Sequence, residues 1–246
     1  MGKTTVAALL ARAFRDSGHK VLVVDADPDP NLAGALGFPD PDSIVPIADM
    51  KELIEERTGA KPGSFGSFFK MNPKVDDIPE EMSREVDGIR LLVLGTVQAG
   101  GGCICPESVL LKNLVTHLVL ERNEVIILDM EAGVEHLGRA TASAVDRLIV
   151  VAEPGRRAIE TLARIKELAA EIGITRVALV GNKVRNDTDK KFLEDNASGI
   201  PILGMLPYST EIVNADREGK ATSAGDSTLK PIAEKIAKRL IKEAGA

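Results

Sequence analysis

Apolar positions along this chain fall into two registers. Val6, Leu9, Leu10, Ala13 and Phe14 recur at the three-and-four spacing of one helix face. Gly18 follows, where a residue without a Cβ can take the left-handed turn that ends a helix. Val21-Leu22-Val23-Val24 is instead a short continuous apolar run, the pattern of a strand buried on both faces. Both registers repeat to the end of the chain. Strands are predicted at Lys20–Val24, Ile89–Leu94, Val125–Asp129, Arg147–Ala152, Val177–Gly181 and Ile202–Met205. Helices are predicted at Thr4–Ser17, Pro46–Glu56, Pro106–Arg122, Leu137–Ala144, Arg157–Ile172, Asp187–Asn196, Thr210–Glu218 and Thr228–Ala244. Strands alternating with helices predict an α/β fold, a mainly parallel sheet with helices on both faces. Between residues 38 and 88 the pattern breaks. That stretch is rich in Pro, Gly and Asp, carries Phe65, Phe68 and Phe69, and reads as an irregular insertion on the sheet's edge within a single domain, 1–246.

Composition narrows the picture. A chain of 246 residues, 44% of them hydrophobic, can bury the core of one large domain. A net charge of −6 argues against a nucleic-acid surface. No apolar run approaches the roughly 20 residues that span a bilayer, and no secretory leader is visible. The two cysteines stand two apart and cannot form a disulfide framework, so a cytoplasmic setting is expected.

The first residues carry the candidate chemistry. Gly2-Lys3-Thr4-Thr5, directly before a helix pattern, matches the tail of a phosphate-binding loop, G-x-x-x-x-G-K-[ST]. In such a loop backbone amides cradle phosphates, the lysine reaches the β/γ-phosphates and the hydroxyl ligates Mg²⁺. The front half of the loop, and the strand that should lead into it, are expected upstream of Met1. Met1 stands where many such loops carry valine, and a GTG valine codon can be read as a start. Made as written, the chain is expected to hydrolyse ATP weakly or not at all and to expose apolar surface where a mid-sheet strand belongs. Acidic residues follow two predicted strands: Asp25-Ala26-Asp27-Pro28 and Asp129. A carboxylate at a strand tip beside a phosphate loop can hold Mg²⁺ or orient an attacking water, or simply cap the next turn. Asp129 is the candidate Mg²⁺ carboxylate and Asp27 the candidate for positioning water, with Asp29 and Glu131 as neighbouring acids able to take either role.

In order and spacing, Gly2-Lys3-Thr4-Thr5, Asp25-Ala26-Asp27-Pro28 and Asp129-Met130-Glu131-Ala132-Gly133 resemble the MinD/ParA/NifH-like ATPases, which dimerise around ATP. The resemblance implies that Lys3 and Asp27 act in catalysis and that Gly2, Lys3, Thr4 and Thr5 bind nucleotide. It also implies that Thr4 and Asp129 hold Mg²⁺. A second lysine that members place early in the loop is missing, and Asp-x-Pro-Ala-Gly departs here to Asp129-Met130-Glu131-Ala132-Gly133. Asn182, in Asn182-Lys183 after the strand Val177–Gly181, matches the family's base-contacting amide. Pro207, in Met205-Leu206-Pro207-Tyr208, matches its base-packing proline. Read without the resemblance, both are ordinary strand-to-helix turns.

Gly100-Gly101-Gly102-Cys103-Ile104-Cys105-Pro106-Glu107 is the remaining distinctive segment. Residues i and i+2 of an extended chain point the same way, so Cys103 and Cys105 can share a face. Pro106 suits the first position of a helix, whose N-terminal dipole favours thiolate. Two thiolates under-fill a tetrahedral site, and a two-fold homodimer supplies four, suiting Zn²⁺, and also Ni²⁺ or a cluster. The alternative is two small buried hydrophobes. The segment resembles the CooC-type nickel-insertion accessory ATPases of carbon monoxide dehydrogenase. That implies ATP and Mg²⁺ as cofactors, Ni²⁺ or Zn²⁺ at the cysteine pair, an ATP- and metal-linked homodimer, and carbon monoxide dehydrogenase as client. Two rivals remain: an iron–sulfur scaffold ATPase, whose usual pair is Cys-x-x-Cys, and a positioning or partition ATPase. For the latter, the basic amphipathic stretch Leu229, Ile232, Ile236 and Leu240, with Lys230, Lys235, Lys238 and Lys242, would be a membrane-targeting helix. The histidines, His19, His117 and His136, are too scattered to form a site.

Overall fold

A computed structural model describes residues 2–63, 68–95, 105–121, 124–131, 144–222 and 226–244. The chain opens with helix α1 (Lys3–Asp16), strand β1 (Val21–Asp25) and a short helix α2 (Leu32–Leu36). The irregular insertion then holds two 3₁₀ turns, α3 (Lys51–Thr58), α4 (Ile78–Met82) and the hairpin β2 (Arg84–Val86) and β3 (Ile89–Val93). Helix α5 (Pro106–Glu121) leads to β4 (Val125–Asp129). The second half runs β5 (Leu148–Ala152), α6 (Arg156–Ile172), β6 (Val177–Val184), α7 (Asp187–Asn196), β7 (Ile202–Pro207), α8 (Thr210–Arg217) and α9 (Lys230–Ala244).

The strands form two runs, β2-β3-β1-β4 and β5-β6-β7. Every pairing is parallel except β2 with β3. In β1, Val21 and Val23 pack under α1, α2 and α9, while Leu22 and Val24 pack on the opposite face against α3, α4 and α5. Both faces are therefore dry, which is why β1 reads as a continuous apolar run. On β5 and β6, Val150, Ala152, Val177 and Leu179 pack under α6. Helix α1 is buried almost all round, from Val6 to Leu10 on to Ala13 and Phe14. Arg12 of this helix donates to the Leu36 carbonyl at 2.8 Å and pairs with Asp87 at 3.1 Å.

Several expectations need correction. Pro46–Glu56 is not one helix: Pro46 precedes a 3₁₀ turn, Ile47–Asp49, and helix begins only at Lys51. Residues 38–88 are less irregular than expected, because Asp87 and Gly88 both take positive φ (49° and 72°) and close the β2–β3 hairpin. Strands β6 and β7 each outrun their predicted ends, placing Asn182 and Pro207 inside strands rather than in turns. The C-terminal stretch is the last helix laid on the sheet: Leu229, Ala233, Ile236 and Ala237 are buried against α1 and β7, occupying the face a membrane would need. No described helix is long and apolar enough to cross a membrane. The predicted helix Leu137–Ala144 falls, up to residue 143, outside the described residues.

Candidate nucleotide site

Gly2, the N-cap of α1, takes φ 77°, a left-handed backbone that glycine adopts without strain. A Cβ there would also lie 2.4 Å from the Asn182 side-chain nitrogen, so any other residue would have to displace that buried amide. Lys3, Thr4 and Thr5 form the first turn of α1, whose amides have no acceptor within the helix, and no acidic side chain sits in that turn. A helix start of this kind is an anion site.

Strand β1 pairs with β4 in register, Asp25 opposite Asp129, which sets two buried carboxylates side by side beneath the helix start. They have different work. Asp25 Oδ2 accepts from the Leu32 amide at 2.9 Å and Oδ1 from the Asp27 amide at 3.2 Å, so it holds the loop that leads into α2. Burial raises its pKa, and those two amides pull it back. Asp129 is hydrogen-bonded by Thr4, yet its Oδ2 is buried with no hydrogen-bond partner among the described residues. Burial pushes the Asp129 carboxyl up to about 6. The Thr4 hydrogen bond and the Lys3 charge oppose that rise, and the like charges of Asp25 and Asp27 add to it. An orphaned buried oxygen beside a threonine hydroxyl fits a hard cation, because a divalent ion would satisfy the lone pairs and reverse the desolvation. Asp27, half-buried, accepts from the Asp29 amide at 3.1 Å and stands close enough to raise the Asp129 pKa.

Asn182 is buried in β6 beside Gly2. Pro207 closes β7 opposite Val184, and the Tyr208 amide donates to the Val184 carbonyl at 3.0 Å. Around this pair stand residues that sequence reasoning missed. Lys183, at φ 56°, pairs with Glu153 at 2.9 Å, and the Arg185 guanidinium lies 4.9 Å above the Tyr208 ring. Their adjacency in sequence to Asn182 and Pro207 was the available signal. The structure thus brings Gly2, Lys3, Thr4, Asp27, Asp129 and Asn182 to one end of the sheet.

The cysteine segment is elsewhere. Cys103 lies outside the described residues, as do Gly133 and His136. Cys105, half-buried, directly precedes α5, and its amide and carbonyl both meet the Ser108 hydroxyl, at 3.2 and 3.0 Å. Pro106 opens α5 as expected. Glu107 fixes this helix start to the insertion, accepting from the Gly63 amide at 2.8 Å. Among the described residues no group of three or more His, Cys, Asp or Glu could hold a metal ion.

A parallel α/β sheet with a Gly-Lys-Thr helix start and an aspartate at the end of a neighbouring strand defines a P-loop nucleotide-binding fold. Residues 1–222 match the CobQ/CobB/MinD/ParA nucleotide binding domain, and the chain belongs to that family. It is 46% identical to an uncharacterised ATP-binding protein of Methanocaldococcus jannaschii, over 98% of this chain and 94% of the relative. It is 44% identical to the carbon monoxide dehydrogenase accessory protein CooC of Rhodospirillum rubrum, over 89% and 84%. Among solved structures, the MinD cell division protein of Aquifex aeolicus superposes with a TM-score of 0.67 at 19% identity, covering 98% of this chain and 92% of that one. The septum site-determining protein MinD of Pyrococcus horikoshii, complexed with Mg-ADP, superposes equally well (0.67) at 18% identity, covering 99% and 92%.

Proposed function

We propose that this chain is an accessory ATPase for the maturation of carbon monoxide dehydrogenase, with nickel or zinc as cargo at Cys103 and Cys105. The observation that carries this reading is the 44% identity to CooC over most of both chains. Cys105, half-buried and directly before α5, supports the metal part. One chain offers only these two thiolates, so a four-sulfur site needs two chains, and a homodimer closing around ATP is the simplest source.

In the nucleotide site, Lys3 and the first-turn amides of α1 would hold the phosphates. Thr4 and Asp129 would hold Mg²⁺, which neutralises phosphate charge. Asp27 would orient the attacking water, and Asn182 and Pro207 would meet the base. Hydrolysis would be coupled to metal capture or release through the dimer.

Elemental analysis with sedimentation tests the reading. We expect about half an equivalent of Ni or Zn per chain, in a dimer, with a non-hydrolysable ATP analogue present. Cys103→Ala/Cys105→Ala should lose the metal. A metal-free protein that still dimerises with ATP overturns the metal role and leaves a positioning-type ATPase.

A further inference from the structure

Phe68 is wholly open to solvent, and Met71, in the same segment of the insertion, is more than half exposed. Their backbone is pinned. The Gly63 amide donates to Glu107 at 2.8 Å and the Lys70 amide to the Thr58 carbonyl at 2.8 Å. The Asn113 side chain donates to the Met71 carbonyl at 3.1 Å, and Val75 is buried in the core with Ile78. The chain is therefore anchored before and after the exposed pair, which projects two large apolar side chains from a fixed loop.

The anchors also fix where the pair sits. Glu107 is in the first turn of α5, and Asn113 is about two turns, roughly 11 Å, from the Cys105 end of that helix. Phe68 and Met71 thus lie alongside the stretch of α5 that Cys105 precedes. Charge narrows what they can meet. From Lys61 to Val75 the sequence holds lysines at 61, 70 and 74 and no acid, on a chain whose net charge is −6. Lys74 pairs with Asp77 at 3.6 Å. Lys70, and Lys112 beside Asn113, are exposed and pair with no acid among the described residues. A two-fold contact of this patch with itself would set those lysines against the same lysines, a like-charge arrangement that costs affinity. The charge therefore favours an acidic partner over a second copy.

We propose that Phe68 and Met71, edged by Lys70 and Lys112, are the docking surface for a partner protein that presents an apolar recess rimmed by carboxylates. On the cargo reading above, on which this proposal rests, that partner is the client enzyme. Aromatic residues and methionine at the centre with charge at the rim is the ordinary anatomy of a protein interface. The apolar pair supplies affinity by leaving water, and the lysines steer an acidic surface into register. Docked here, the partner lies beside the Cys105 end of α5, on a loop that the helix itself holds in place through Glu107 and Asn113.

The test is a binding titration of the chain against metal-free carbon monoxide dehydrogenase at low and high salt. Phe68→Ser should weaken binding about tenfold or more, as loss of a central aromatic contact does. Lys70→Glu/Lys112→Glu should weaken it as well and flatten the salt dependence seen with the unaltered chain. Both variants change exposed side chains, so melting temperature and ATP-linked dimerisation should be unchanged. Binding by both variants at the unaltered affinity overturns the proposal, and so does an unaltered chain that fails to bind at either salt concentration. If Phe68→Ser instead abolishes dimerisation, the patch belongs to a second copy and the proposal is also overturned. Failure here and failure of the metal reading are separable, because metal content per chain reports on the thiolates and the titration reports on the patch.

Discussion

Asp129 is where the site strains the fold. Its carboxyl, pushed up to about 6 from 3.8, keeps a charge at neutral pH that burial opposes. A carboxyl with a raised pKa contributes stability that is full below pH 3.8 and is lost as pH rises through about 6. Asp129→Asn should therefore stabilise the nucleotide-free protein at pH 7, on the order of 2–3 kcal/mol, read as a rise in melting temperature. The same variant should lose Mg²⁺-dependent nucleotide binding, so stability and function move in opposite directions. Mg²⁺ affinity should also depend on pH. Below about 6 a proton competes for the carboxylate, and affinity should fall about tenfold per unit; above 7 it should be flat. Calorimetric titration between pH 5 and 8 checks the slope. Asp25, the in-register neighbour, should behave differently. Its oxygens are held by backbone amides, so Asp25→Ala should cost stability through the orphaned Leu32 and Asp27 amides, on the order of 1–3 kcal/mol by chemical denaturation.

Elements were legible where both faces of a strand or one face of a helix repeat a pattern. Val21 to Val24 and Leu148 to Ala152 announce themselves because their neighbours on both sides are apolar. Helix α5 carries Leu110, Leu114 and Leu118 four apart, all fully buried. Leu114→Ala should cost about 2–5 kcal/mol in a denaturant titration, the cost of a core cavity. What escaped the sequence was set by single residues or by distant partners. The β2–β3 hairpin rests on Asp87-Gly88, a turn signal flanked by a strand only three residues long. Strand β6 continues to Val184 because β7 pairs with it there, and nothing within the segment itself reports that partner. Of the site, Lys3, Thr4 and Asp129 were readable from motif and strand end, whereas the capping work of Asp25 depends on a loop seven residues away.

At the scale of the whole molecule, the first and last helices are neighbours. Helix α9 packs along α1 and on β7, and Lys230 pairs with Asp16 at 3.0 Å. Removing residues 230–244 should uncover the α1 face around Leu10 and Phe14, giving a protein that binds hydrophobic dyes and loses its cooperative melting transition. This closure has a consequence for how the protein is born. At roughly 5–20 residues per second, the ribosome finishes α9 about ten to fifty seconds after α1 has been made. Throughout that interval α1 lacks its α9 neighbour, so the nascent chain presents an apolar helix face to whatever chaperone attends the exit tunnel. The α1 face is covered only once α9 has been made, so a chain that stops before Lys230 leaves that face bare.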